Sequence, residues 1–122
     1  PLIYLSNFPS IAIIEILSIK GSTVARSNWK ISTFEIRESI AELGLNDLPK
    51  DWNKRPASST TKDIGTLWAR KMESVCLKVP SARLNLSAYS EEYDLLVNPL
   101  HPDFRKVVTY LSSEDFNFQL NN

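Results

Sequence analysis

Apolar and polar positions are unevenly spread along this chain. The densest apolar stretch opens it: Leu2-Ile-Tyr-Leu5, a break at Asn7-Phe-Pro9, then Ile11-Ala-Ile-Ile14 and Ile16-Leu17. The first run is brief, aromatic and β-prone, and predicts a strand from Leu2 to Ser6. Pro9 and Ser10 begin a helix, with Ser10 as N-cap and Gly21 as its stop. Apolar residues at 11, 12, 13, 14, 16, 17 and 19 leave no clean polar face, so the helix reads as buried. Glu15 lies inside it. A carboxylate in such company loses hydration that something must replace. Its helical neighbours, Ile11, Ala12, Ser18 and Ile19, include no base, so any partner comes from elsewhere in the fold.

Further along, Trp29 to Arg37 alternates and predicts a strand. Glu38 to Asn46 reads as weakly helical or irregular. Leu48 to Trp52 is a turn anchored by Trp52, and Asn53 to Ser59 a polar loop with Pro56. Ile64, Leu67, Trp68 and Met72 fall at helical spacing and predict a second helix from Thr60 to Ser74, where Gly65 marks close packing. Val75 to Val79 and Leu95 to Val97 are strands. Asn98-Pro-Leu-His-Pro102 is a rigid turn, and Lys106 to Tyr110 and Phe116 to Leu120 are closing strands. Strands outnumber helices without alternating regularly with them, which argues for an α+β fold.

Composition narrows the function. The 122 residues suit one domain, and 14 basic residues balance 14 acidic ones. A neutral chain carries no general footprint for nucleic acid or an anionic membrane. No apolar run reaches membrane-spanning length, and no secretory leader is visible. A single cysteine forms no internal disulfide, which fits a reducing compartment such as the cytoplasm. There is no P-loop, no dinucleotide glycine pattern and no metal-ligand spacing.

The residues that remain have ordinary readings. Glu15 alone is a carboxylate bonded to a structural partner. Ser81, after Val79-Pro80, is a turn serine that caps backbone donors. Tyr4 is a core aromatic, Cys76 an inert core thiol and His101 a turn residue. A hydrolase pairing Ser81 with His101 lacks any orienting motif.

Their order changes those readings. Tyr4-Leu-Ser6 followed by Ala12-Ile-Ile-Glu15 resembles the first half of the RES domain. Gly65-Thr-Leu-Trp68, Leu77-Lys-Val-Pro-Ser81 and Leu96-Val-Asn-Pro-Leu-His-Pro-Asp-Phe104 resemble its second half. The resemblance runs from Pro1 to about Tyr110. It implies an ADP-ribosyltransferase-like fold of mixed β-sheets with flanking helices. It also implies the toxin of a toxin–antitoxin pair that cleaves NAD at the nicotinamide–ribose bond, by glycohydrolysis, phosphorolysis or ADP-ribosyl transfer. The partner implied is an Xre-type helix-turn-helix antitoxin, with no metal, no membrane and no nucleic acid bound by this chain. By the same resemblance Glu15 and Ser81 are catalytic, while Tyr4, Ser81 and Asn98 contact NAD.

The family's Arg is the departure. It lies upstream of the Tyr-containing strand, so the expectation is a single RES-like domain over residues 1–122 that lacks an N-terminal segment. Arg37-Glu38-Ser39 spells the family name by coincidence. Arg26, Arg55, Arg70, Arg83 and Arg105 do not match the family position. A non-catalytic RES-like module that binds the antitoxin is therefore the alternative.

Overall fold

A computed structural model of the chain describes residues 1–48, 50, 52, 53, 59–84 and 89–120. The loop expected around Pro56 lies outside the described residues, as do Pro49 and Asp51 of the turn before it.

Strand β1 (Ile3–Ser6) leads into helix α1 (Pro9–Lys20), and a 3-10 segment (Gly21–Arg26) joins that helix to strand β2 (Trp29–Ile36). Strand β3 (Ile40–Glu42), helix α2 (Ser59–Lys71), strands β4 (Cys76–Val79) and β5 (Asp94–Val97), the single turn of α3 (Phe104–Val107) and strand β6 (Val108–Phe116) follow. Four strands form one sheet in the order β1-β5-β4-β3, and β2 pairs with β6 in a second. The β3–β4 pair is parallel and the other pairs are antiparallel. The α+β class, with mixed sheets and flanking helices, is therefore what the chain adopts.

Period-two alternation along the paired strands sets Leu5, Leu95, Val97 and Cys76 on one face of the larger sheet. These residues meet Val75 and Val107 in the core, with Ile36, Phe104 and Val108 packed against it from α3, β2 and β6. Cys76 is fully buried there, and burial pushes its thiol up to about 11, as an inert core thiol requires. On the other face, a methyl group at Gly65 of α2 would stand 3.8 Å from Leu2 and Leu96 side chains. That is ordinary contact distance, so α2 packs closely here without excluding a small side chain.

Several expectations shift. The N-cap of α1 lies two residues before Ser10: Phe8 occupies it and Pro9 the first turn, where its fixed φ and missing N–H cost nothing. Only Ile11 of α1 is buried, and Ile14 and Ile19 are exposed, so the apolar girth of the helix is not matched by protein on every side. The irregular stretch from Glu38 contains β3. Three residues give too short a pattern to read locally, and the strand exists because it pairs with β4. Of the two expected closing strands, the first becomes β6, which follows α3 and runs on to Phe116, whereas Asn117 to Leu120 form no strand. The polar stretch Ser112-Ser113-Glu114-Asp115, which no strand pattern covers, lies opposite β2 along its length, with Ser113 Oγ 2.8 Å from Ser32 Oγ. No helix among the described residues is long and apolar enough to cross a membrane.

Candidate active site

Three neighbouring strands bring their ends together. In the ladder Ser6 of β1 lies opposite Asp94 of β5, and Asp94 lies opposite Val79 of β4. Ser81 follows Val79 by two residues, so strand pairing alone places Ser6, Asp94 and Ser81 at one edge. Asn7 fixes that edge. Its side-chain amide donates to Glu91 O at 2.8 Å, its Oδ1 accepts from Tyr93 N–H at 2.9 Å, and its own N–H donates to Tyr93 O at 3.1 Å. The chain then turns through Phe8 into α1, which returns Glu15 to the same place.

Glu15 therefore finds its partners outside its helix. Ser81 Oγ donates to Glu15 Oε2 at 2.6 Å, and accepts from Arg83 N–H at 3.2 Å. Ser6 Oγ lies 3.2 Å from Glu15 Oε1 and 2.7 Å from Asp94 Oδ1. Asp94 and Glu15 thus face each other across Ser6. Burial, then that contact with a second carboxyl, pushes the Asp94 carboxyl up to about 8, although Ser6 acts in the opposite direction.

A cleft of about 730 Å³ opens over this cluster. Glu15, Ser6, Asp94 and Tyr4 line it, together with apolar groups of α1 and a wall from β2. Its basic lining residues, among those described, are Lys30 and Arg83. Arg83 Nη1 donates to Ser18 Oγ at 3.0 Å, which orients the guanidinium along α1. Ser81 is 4% exposed and stands behind Glu15.

The sequence-derived residues separate into two groups. Glu15 and Ser81 touch, and Tyr4 lines the cleft above them. Tyr4 is 71% exposed, so it is not a core aromatic: β1 is an edge strand, and this side chain leaves its surface. Asn98 lies elsewhere. It is 2% exposed, its amide donates to Ala69 O at 3.1 Å and Met72 Sδ at 3.4 Å, and its Oδ1 accepts from Leu100 N–H at 3.0 Å. It ties the end of β5 to the end of α2. His101 is also remote from Ser81, with its ring nitrogens 2.9 Å from Met72 O and 3.0 Å from Asp103 N. Asp94 escaped the sequence reading. The only local signal is an acidic residue opening an apolar strand, and its meaning depends on register with Ser6.

The sequence model of the RES domain matches residues 1–121. The chain is 31% identical over 117 residues to "Toxin Res" of Photorhabdus laumondii, covering 95% of this chain and 72% of that protein. It is 33% identical over 117 residues to "Toxin Res" of Yersinia enterocolitica, covering 95% and 74% respectively. "Prs ADP-ribosylating toxin" of a Sphingobium strain is 26% identical over 110 residues, covering 87% and 65%.

Proposed function

This chain belongs to the RES domain family, and from that premise we propose that it is a toxin that breaks the nicotinamide–ribose bond of NAD. The observation that carries the reading is Glu15, a carboxylate facing a cleft and held by Ser81 at 2.6 Å with Ser6 on its other oxygen. The similarity to an ADP-ribosylating toxin supports NAD as substrate.

The chemistry makes a simple demand. When the bond breaks, its electron pair leaves with the nicotinamide nitrogen and positive charge develops on the ribose. A fixed carboxylate stabilises that charge, more strongly in a site screened from water. Glu15 takes this role, and Ser81 keeps it from rotating. Tyr4 offers a ring face for the nicotinamide. Lys30 and Arg83, which line the cleft, supply positive charge for the diphosphate. Asn98 supports the site from a distance by fixing β5. A cleft of about 730 Å³ lies within the range of ligand sites, roughly 300–1,000 Å³. The released ADP-ribose cation is captured by water, phosphate or a protein nucleophile, which loses its proton on attack. The toxin acts in the cytoplasm and is held inactive by an Xre-type helix-turn-helix antitoxin.

Incubation of the protein with NAD, alone and with phosphate, tests this. Release of nicotinamide is expected, and the second product identifies the acceptor: ADP-ribose, its 1-phosphate or modified protein. NAD binding without nicotinamide release under any of these conditions would overturn the enzymatic reading in favour of a binding module.

A further inference from the structure

Ser6 has one proton to give and two carboxyl oxygens to give it to. Its Oγ is 2.7 Å from Asp94 Oδ1 and 3.2 Å from Glu15 Oε1. A hydroxyl donates one hydrogen bond, and an ionised carboxylate only accepts. Both contacts are hydrogen bonds only if one of the carboxyls brings a proton. Glu15 is already bonded by Ser81 on its far oxygen, in the arrangement that suits its ionised form. Asp94 lies on strand β5, between β1 and β4, and is partly buried.

We propose that Asp94 is a positioning residue: it keeps one proton shared with Glu15 through Ser6, and so fixes the Glu15 carboxylate towards the cleft. The proton stays within the pair. The cluster then carries one negative charge rather than two, and Glu15 is bonded at both oxygens. Loss of the proton removes one donor and sets two like charges against each other, which turns Glu15 away from its seat. The inference deepens the NAD reading and rests on Glu15 being the carboxylate that meets the ribose.

Other charged and titratable groups surround the pair. Tyr4 of β1, Lys30 of β2, Arg83 after β4 and Tyr93 beside Asp94 line the same cleft. Lys78 of β4 lies over the Tyr93 ring, 4.4 Å from its centroid. Any of these could bend a pH profile, so the variant at Asp94 is what isolates the effect.

Asp94→Asn retains an N–H donor but cannot ionise; Asp94→Ala retains neither. Nicotinamide release by the wild type should fall about tenfold per pH unit above about pH 8. Asp94→Asn should keep a reduced rate, within about tenfold of wild type at neutral pH, that no longer falls on the alkaline side. Asp94→Ala should lose kcat by about a hundredfold, with KM little changed. An alkaline fall unaltered in Asp94→Asn, or wild-type kcat in Asp94→Ala, would overturn the proposal. Infrared difference spectra give a reading independent of turnover: a protonated carboxyl band near neutral pH, bleached at alkaline pH and missing in Asp94→Asn. If that band is present but no nicotinamide is released at any pH, the NAD reading fails and the shared proton stands. If the wild type lacks the band, the shared proton fails whatever the turnover.

Discussion

Ser81 fixes Glu15 more tightly than any other group, through a 2.6 Å hydrogen bond to one carboxylate oxygen. Its hydroxyl is itself fixed by the Arg83 N–H. Ser81→Ala leaves Glu15 Oε2 without that donor in a partly enclosed site. The expected result is a loss of about 10²–10³ in nicotinamide release, the scale for removing one preorganised donor. Stability should fall by only about 1–3 kcal/mol, the cost of an unsatisfied buried group. A destabilised variant with an unchanged rate would make Ser81 purely structural. At this scale Glu15 was legible because a charge amid isoleucines has few explanations. Ser81 and Tyr4 became legible only through the family pattern. Asp94 stayed hidden because register, not its own neighbours, gives it Glu15 and Ser6 as company.

Helix α1 is the element that delivers Glu15, and its two ends differ in how plainly local residues mark them. The C-terminal stop at Gly21 is real: φ is +60° with ψ −150°, and its N–H bonds Leu17 O. Nothing lies within 4 Å of a Cβ added there, so Gly21→Ala would feel the backbone alone. That region of φ and ψ belongs to glycine, and the substitution should cost about 1–3 kcal/mol, seen as a lower urea midpoint with an unchanged slope. An unshifted midpoint would mean that the 3-10 segment after α1 relaxes freely. At the N-terminus the N-cap is Phe8 rather than Ser10, two residues earlier, because Pro9 suits the first helical position. Strands β2, β4 and β5 carry their own alternation or apolar runs. Strand β3 does not, since pairing with β4 and the Ser39 contacts to Val75 and Cys76 create it.

For the whole molecule, the Asp94–Glu15 pair links stability to pH. Asp94 titrates at about 8 when folded and near its ordinary 3.8 when unfolded, so the folded protein holds a proton that the unfolded chain releases. Its contribution is complete below about pH 4 and is lost as pH rises through about 8. Denaturant midpoints should therefore decline across that window in the wild type and decline less in Asp94→Asn; equal slopes in the two would contradict the raised titration. The α+β class followed from the sequence because strand and helix patterns do not alternate. The division into two sheets did not, since β2 and β6 find each other across most of the chain. The cleft is likewise a property of the assembled fold, bounded by α1, β2 and the edge formed by β1, β5 and β4. The most direct test of the account compares nicotinamide release from NAD by the wild type and by Glu15→Gln, which keeps the shape but not the charge. Release by the wild type is expected, with a loss of about a hundredfold or more in Glu15→Gln at a similar urea midpoint. A folded Glu15→Gln protein that releases nicotinamide at the wild-type rate would contradict it.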